Sequence, residues 1–227
     1  MAADSAVMVI DASKGVEAQT RKLFKVCVMR KIPIFTFINK MDREANDPFE
    51  LCDEIESVLG IATCPMNWPI GSGKEFKGVY ERNERRVSTF KAEMNGQKEV
   101  DTTTIGIDDP ALKDELGSAF YDKLLEDIEL LDGASAEFDQ EKVSAGELSP
   151  VFFGSALTNF GVETFLKHFL KMTYSPLPRM SNEGLIDPFT EDFSAFVFKI
   201  QANMNKAHRD RICLLYTSPS PRDMRRS

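Results

Sequence analysis

Short uninterrupted apolar runs alternate with amphipathic segments at the start of the chain. Residues 6–10 and 34–38 are both continuous apolar or β-favouring runs, which are typical of strands buried on both faces of a parallel sheet. Between them, apolar positions recur at helical spacing, at Val16, Thr20, Leu23, Phe24 and Cys27. The pattern predicts two parallel strands joined by a crossover helix, a βαβ unit.

A second helix is predicted immediately after this unit. Asp47-Pro48 followed by Glu50 is a strong helix start, with a capping carboxylate, a proline in the first turn and an acidic residue three positions after the cap. Gly60 is expected to end the helix. The predicted buried positions of this helix are Leu51, Ile55, Val58 and Leu59.

The pattern changes between residues 64 and 108, where glycines interrupt the apolar runs. This part predicts a small β-rich insertion in the α/β pattern, with a hairpin at 78–90 that turns near Asn83. Asp109-Pro110 then predicts one long acidic helix ending near Gly133. Its expected apolar positions are Leu112, Leu116, Phe120, Leu124 and Ile128.

A third short buried strand is predicted at 151–153, followed by Gly154-Ser155-Ala156. One more amphipathic helix follows it, marked by Val162, Phe165, Leu166, Phe169 and Leu170. The alternation of strands and helices predicts an α/β fold with a parallel sheet.

The last part of the chain departs from this pattern. A proline-rich linker at 174–179 precedes residues 194–201, which resemble the opening strand of a β-type domain. The sequence thus predicts a division into residues 1–180, 181–212 and 213–227. The last segment, with its Ser-Pro repeats and arginines, is predicted to be disordered and of foreign origin.

Composition narrows the class of protein. The chain has 227 residues, of which 42% are hydrophobic and 28% charged, as in globular proteins. A net charge of -8 argues against direct binding to DNA or RNA by this stretch. Four cysteines without a CxxC pair and two histidines argue against a zinc site or a disulfide framework. No apolar run approaches the length of a membrane span, and no export signal is visible, so we expect a cytoplasmic protein that is not bound to membranes.

The segment Asn39-Lys40-Met41-Asp42 carries the strongest chemical signal. It follows a predicted parallel strand, and ligands of open α/β sheets bind at the carboxyl ends of the strands. A carboxylate there accepts two parallel hydrogen bonds from the N–H and amino groups that guanine offers side by side, and adenine lacks this pair. An Asn can donate and accept at the same edge, while a Lys stem lies along the base. The alternative is an ordinary polar turn after a strand.

Gly154-Ser155-Ala156 also follows a buried strand, and its small residues would let backbone N–H groups approach a ring oxygen. A simple strand-to-helix turn is the alternative. Two such loops at the ends of neighbouring strands predict a base pocket. By contrast, Gly71-Ser72-Gly73-Lys74 lacks the spacing of a phosphate loop, since Trp68 and Glu75 occupy positions that require Gly and Ser or Thr.

These segments together resemble a known family. Residues 3–20, Asn-Lys-Met-Asp and Gly-Ser-Ala resemble the later part of the G domain of translational GTPases. Residues 64–71, 76–80, 150–154 and 196–204 are similar to the release-factor GTPases of bacterial translation termination. The nearest competing relative is elongation factor G, which shares the general plan.

The resemblance implies specific roles. Asn39, Lys40 and Asp42, with Met41 between them, match the guanine-specificity motif, and Ser155 and Ala156 match the second base-contacting loop. The ligand would be GTP or GDP, and the partners would be the ribosome and the class-I release factors, whose departure the family drives with GTP. Residues 64–148 would correspond to an insertion in the G domain, and the part from 181 onward to the start of a β-barrel.

The departures from the family pattern predict that the chain lacks the part of the G domain that binds phosphate and Mg²⁺. Its phosphate loop, first switch and Asp-x-x-Gly motif lie upstream of the part that Met1 matches, so we expect an incomplete P-loop-type G domain, an internal fragment. It would hold no catalytic residue and no ligand of the Mg²⁺ that the complete family protein uses. We therefore expect weak nucleotide binding and negligible hydrolysis.

Two other classes stay open at this point. The chain could be a fragment of an elongation factor G-like translocation GTPase, or a non-enzymatic α/β interaction module in which Asn39 to Asp42 form only a turn. A dinucleotide-binding oxidoreductase is a weaker option, because no GxGxxG follows a strand.

Overall fold

A computed structural model describes residues 3–90, 102–174, 178–182, 184–189, 195–202 and 211–217. The chain falls into two compact units, one of Ser5–Thr173 and one of Met1–Asp4 with Tyr174–Ser227. In chain order the first unit contains β1 (Ala6–Asp11), α1 (Ala18–Met29), β2 (Ile34–Asn39), α2 (Pro48–Leu59), β3 (Ala62–Pro65), β4 (Asn67–Ile70), β5 (Gly78–Glu81), β6 (Arg86–Phe90), β7 (Thr102–Gly106), α3 (Ala111–Leu116), α4 (Ser118–Ala134), α5 (Gln140–Ala145), β8 (Leu148–Phe153) and α6 (Val162–Met172).

The centre of the first unit is a four-stranded sheet in the order β1-β2-β8-β3. All three strand pairings are parallel, and their register places Asp11 opposite Asn39 and Ile38 opposite Phe153. The fold is therefore the α/β class that the sequence predicts. Because neighbouring strands run in the same direction, β1, β2 and β8 deliver the residues that follow them to one edge of the sheet.

The predicted βαβ unit is observed, with β2 almost wholly buried between its neighbours. The prediction that β1 is buried on both faces is wrong, because β1 is the first strand in the sheet order and its Val7 and Val9 are exposed. The predicted start of α2 is observed as well. The Asp47 carboxylate accepts hydrogen bonds from the backbone N–H groups of Phe49 and Glu50 at 2.8 and 3.3 Å, and Gly60 ends the helix with a φ of 72°. Val58 was expected to be buried but is 37% exposed, because the packed face of α2 centres on Leu51, Cys52 and Ile55.

A second, antiparallel sheet has the order β4-β5-β6-β7, and it contains the predicted hairpin as β5 and β6. The antiparallel sheet begins at Asn67, whereas β3 pairs in parallel with β8 in the central sheet. A short 3₁₀ turn, Gly73–Glu75, connects β4 to β5.

The single long helix predicted after Asp109 is wrong. Gly117 has a φ of 83° and a ψ of 151°, a backbone conformation outside the helical region, and it separates α3 from α4. The predicted helix at 162–172 is observed as α6, but Leu166 and Leu170 are exposed while Phe165 is buried. The short helix α5 has no counterpart in the predicted elements.

Trp68 joins the two sheets. Its ring lies 4.4 Å from the ring of Phe49 in α2 and 5.4 Å from that of Phe153 in β8, measured between centroids. Its indole N–H donates to Asp127 of α4 at 3.0 Å. The aromatic contacts supply apolar burial and the hydrogen bond satisfies the polar end, so the β-rich part is packed directly on the end of the central sheet.

The second unit contains β9 (Arg179–Ser181) paired antiparallel with β10 (Gly184–Ile186), and β11 (Ala195–Ala202) paired antiparallel with β12 (Arg211–Thr217). The prediction of disorder from residue 213 is wrong for 213–217, because these residues belong to β12 and pair with β11. Residues 175–177 of the predicted linker and residues 218–227 of the predicted disordered segment lie outside the described residues. The β-barrel stays a prediction.

In the described part of the chain, no helix has the length and apolar character needed to cross a membrane.

Candidate functional site

The residues singled out by sequence lie at the carboxyl edge of the central sheet. Asn39 is the last residue of β2, and Gly154 directly follows β8, the strand next to it. Asp11, the last residue of β1, lies opposite Asn39 on the other side. Three neighbouring parallel strands thus bring Asp11, Asn39 and the loop that starts at Gly154 to one edge, as expected at the ligand-binding edge of an α/β sheet.

Hydrogen bonds join the two predicted base loops. The side-chain oxygen of Asn39 accepts from the backbone N–H of Lys40 and from that of Ala156, each at 2.8 Å. The Ser155 hydroxyl donates to Asp42 Oδ1 at 2.5 Å. Asn39 of the first loop therefore holds the backbone of the second loop, and Ser155 of the second loop holds the Asp42 side chain of the first.

The backbone reinforces this connection. The Met41 N–H donates to the carbonyl of Gly154 at 3.1 Å, and the Gly154 N–H donates to the carbonyl of Ile38 at 3.0 Å. Gly154 must be a glycine here, because a Cβ on it would lie 2.6 Å from the Phe160 carbonyl oxygen and 2.9 Å from the Phe37 ring. The absence of a side chain at Gly154 therefore lets its backbone lie against Phe160 and the Phe37 ring of β2.

Lys40 and Met41 set the direction of the first loop. Lys40 has a φ of 73°, a left-handed conformation that costs a non-glycine residue about 1 kcal/mol. This turn sends the Met41 side chain into the core, where it is fully buried. Met41 was predicted as a site residue, and the structure places it as an anchor beneath the loop, with its side chain away from the edge that Asn39 and Asp42 line.

Two hydrogen-bonding groups stay available at this edge. Asn39 Nδ2 donates to none of the described residues, and Asp42 Oδ2 accepts from none of them, lying 3.9 Å from Arg43 Nε. The backbone N–H groups of Gly154, Ser155 and Ala156, expected from sequence to face a ring oxygen, are instead bonded to protein oxygens in this conformation. The loop 39–42 thus carries one amide donor and one carboxylate acceptor that form no hydrogen bond with the described residues.

Asp11 belongs to the same edge, and the sequence analysis did not identify it. Its Oδ2 accepts a hydrogen bond from Lys40 Nζ at 2.6 Å, and its Oδ1 accepts from the N–H and hydroxyl of Ser13 at 3.0 and 2.8 Å. The sequence signal that could have identified Asp11 is its position as a carboxylate at the end of β1, the strand that pairs with β2. The hydrogen bond from Lys40, together with those from Ser13 and against the effect of burial, lowers the pKa of Asp11 to about 2.

This lowered pKa predicts a pH dependence of stability. A carboxylate whose folded pKa lies at about 2 and whose ordinary pKa is 3.8 contributes its full stabilisation above pH 3.8 and loses it as the pH falls through 2. We expect the difference in unfolding free energy between the unaltered chain and Asp11→Asn to be constant above about pH 5 and to shrink below about pH 4. Urea unfolding at a series of pH values measures it, and a difference that does not change with pH would contradict the expectation.

The antiparallel sheet supports both base loops. The Gly73 N–H donates to the Met41 carbonyl at 2.9 Å, and the ring of Phe76 lies 5.5 Å from that of Phe160, edge to face. The segment rejected as a phosphate loop therefore lies against the first base loop, at the back of the candidate site.

Asn67 makes the closest connection to the second loop. Its side-chain N–H₂ donates to the Phe153 carbonyl at 3.0 Å, and its side-chain oxygen accepts from the Phe153 N–H at 2.7 Å. The pairing of β3 with β8 stops at Val151, so the Asn67 amide takes the place of a neighbouring strand at the last residue before Gly154. Asn67 was also missed by the sequence analysis, because nothing in its neighbours marks a residue that bonds to a strand 86 positions away.

Comparison with known proteins assigns the chain to a family. Residues 1–175 match the family described as elongation factor Tu GTP binding domain, so the chain belongs to this family of GTP-binding domains. Among curated proteins it is similar to peptide chain release factor 3 of Symbiobacterium thermophilum, with 58% identity over 94% of the chain, and to peptide chain release factor 3 of Listeria innocua, with 56% identity over 95%. A third relative, peptide chain release factor 3 of Gloeobacter violaceus, is 53% identical over 94% of the chain.

The chain spans 40% of the first and third relatives and 41% of the second. The predicted resemblance to translational GTPases, and among them to release-factor GTPases, is confirmed by these matches. A guanine nucleotide is the ligand that the family implies, and an amide donor and a carboxylate acceptor are groups with which a guanine base can form hydrogen bonds. Among the described residues there is no group of three or more His, Cys, Asp or Glu side chains that could hold a metal ion.

Proposed function

We propose that this chain binds the base of a guanine nucleotide through Asn39, Lys40, Asp42, Ser155 and Ala156. The observation that carries the proposal is the state of the Asp42 carboxylate. Ser155 donates to one of its oxygens, and the other accepts no hydrogen bond from the described residues, with Arg43 Nε 3.9 Å away.

The chemistry of guanine matches this arrangement. Its N1–H and exocyclic N2 amino group are adjacent donors, which suit a fixed carboxylate, and its O6 and N7 are acceptors, which suit Asn39 Nδ2. Lys40 lies between Asn39 and Asp42 in the sequence, and its partly exposed aliphatic stem would pack on the base. Adenine lacks the donor pair and reverses the donor and acceptor at the six position, so the same groups would reject it.

We further propose that the whole protein is a GTPase of translation termination. Its relatives are named peptide chain release factor 3, and on that basis it would act in the cytoplasm on the ribosome and promote the GTP-dependent departure of class-I release factors. The Mg²⁺ that such a reaction uses would be held by residues other than those described. In this proposal residues 1–180 are part of the GTP-binding domain with an insertion at 64–148, residues 181–212 begin a β-barrel, and 213–227 are foreign.

A panel of nucleoside diphosphates tests base recognition directly. Inosine differs from guanosine only by the missing N2 amino group, so IDP should bind about tenfold more weakly than GDP, the loss of one charge-assisted hydrogen bond. ADP should bind more weakly still. Ligand-observed NMR at millimolar nucleotide measures the three affinities. Equal binding of GDP, IDP and ADP would show that Asn39 to Asp42 form only a polar turn.

A further inference from the structure

We infer that Asp11 is a positioning residue for base recognition, which holds the Lys40 side chain across the mouth of the site. The inference rests on the proposed function, because it concerns the same base site. Asp11 is the last residue of β1, so the site would include a residue of a third strand besides the loops after β2 and β8.

The pairing of Asp11 with Lys40 is set by strand register. Asp11 ends β1 directly opposite Asn39, the residue before Lys40, so the carboxylate and the ammonium are brought together by the parallel ladder itself. The N–O distance is 2.6 Å, and the Asp11 side chain is 11% exposed whereas that of Lys40 is 42% exposed. The acceptor is thus held in the protein, while the lysine stem stays accessible to a ligand.

Asp11 is itself held in one orientation. Ser13 donates two hydrogen bonds to Oδ1, which leaves Oδ2 directed at Lys40. The backbone around it is equally constrained, since the Asp11 carbonyl accepts from the N–H groups of Lys14 and Gly15 at 3.0 and 2.9 Å. The Ala12 N–H donates to the Asn39 carbonyl at 3.0 Å, so the loop after β1 is fastened to the loop after β2.

Without Asp11, only the backbone would direct Lys40. Its φ of 73° fixes where the side chain leaves the backbone, but four rotatable bonds follow. A free lysine side chain loses considerable rotamer entropy when a ligand orders it. Asp11 removes that cost in advance, because the ion pair already holds the ammonium at the edge where the base would lie.

The test is a double-mutant cycle on GDP binding by the full chain. Asp11→Asn keeps the shape of the side chain and removes its charge, so we expect GDP to bind about fivefold more weakly. Lys40→Met keeps the apolar stem and removes the ammonium, and in that background Asp11→Asn should have no further effect on GDP binding. Glu17→Gln is the matched control, because Glu17 is an exposed carboxylate of the same loop that pairs with Lys14 at 3.9 Å, and its replacement should leave GDP binding unchanged.

Ser13→Ala gives a second route to the same result. It removes one of the hydrogen bonds that orient Asp11 and leaves the ion pair in place, so it should weaken GDP binding about twofold in the unaltered background and not at all with Lys40→Met. This variant keeps the inference testable if Asp11→Asn folds poorly.

The outcomes separate the inference from the proposed function. No GDP binding by the unaltered chain would overturn the proposed function, and the inference with it. GDP binding that both Asp11→Asn and Ser13→Ala leave unchanged would overturn the inference alone. So would a loss that is equally large in the Lys40→Met background, because Asp11 would then act through the fold and independently of Lys40.

Discussion

Replacing Asp42 by Asn is expected to exchange the base preference of this chain from guanine to xanthine. Xanthine carries an oxygen where guanine has the N2 amino group, so it offers an acceptor at the position where guanine offers a donor. The Asn side chain keeps the oxygen that accepts from Ser155 and places an N–H₂ group where Asp42 Oδ2 is now. The variant should therefore preserve the loop and invert only the hydrogen-bonding character of its free group.

The expected effect is large because the substitution removes the negative charge of the acceptor and sets an N–H₂ donor against a donor of guanine. We expect GDP to bind on the order of 100-fold more weakly to Asp42→Asn, and XDP to bind more tightly to the variant than to the unaltered chain. Competition between GDP and XDP, followed by ligand-observed NMR, measures both changes. Asp53→Asn, an isosteric change at an exposed position of α2, serves as the control and should leave both affinities unchanged. A variant that still prefers GDP would mean that Asp42 does not contact the base.

Local sequence patterns predicted the framework of the site well, because the relevant signals are short-range. The apolar runs of β1 and β2 and the capping carboxylate of Asp47 each depend on a few neighbouring residues, and all three are observed. The positions of Asn39 and Asp42 after β2 followed from the same patterns. Their proximity to Ser155 could be expected only because parallel strands end at a common edge.

What sequence reasoning missed depends on contacts between distant residues. Asp11 is paired with Lys40 through the register of β1 with β2, and Asn67 with Phe153 through the end of the β3–β8 ladder, and no local pattern encodes either register. The break at Gly117 was missed for a different reason, since the apolar spacing continues across it from Leu116 to Phe120. A glycine within such a pattern is compatible with both a continuous and a divided helix.

The antiparallel sheet follows the first base loop in sequence and supports both base loops in space. Gly73 bonds to Met41 in the first loop, Phe76 packs on Phe160 behind the second, and Asn67 holds the strand that leads into it. A displacement of β4 relative to the central sheet would therefore move both loops. The stability of the site depends on the contact between the two sheets, and Asn67 is the polar residue at the centre of that contact.

Replacing Asn67 by Leu is accordingly expected to destabilise the first unit by about 3 kcal/mol. Leucine has a similar volume but no polar group, so the Phe153 N–H and C=O would both lose their partner in the core, and each unsatisfied group costs about 1 to 3 kcal/mol. Urea unfolding measures the change, with the emission of Trp68 as the signal. Trp68 is the single tryptophan of the chain and packs on Phe153, so its emission reports on the region where the hydrogen bonds are lost.

Asn46→Leu is the matched control for this prediction, because Asn46 is an exposed asparagine in the loop before α2. The same chemical change at that surface position should alter the unfolding free energy by less than about 0.5 kcal/mol. A loss at Asn67 as small as the loss at Asn46 would contradict the role given to the Asn67 amide, since the end of β8 would then be held by packing alone. A loss of the expected size would support the role given to the Asn67 amide. Weaker GDP binding by the variant, measured where it is still folded, would show in addition that this side chain supports the second base loop.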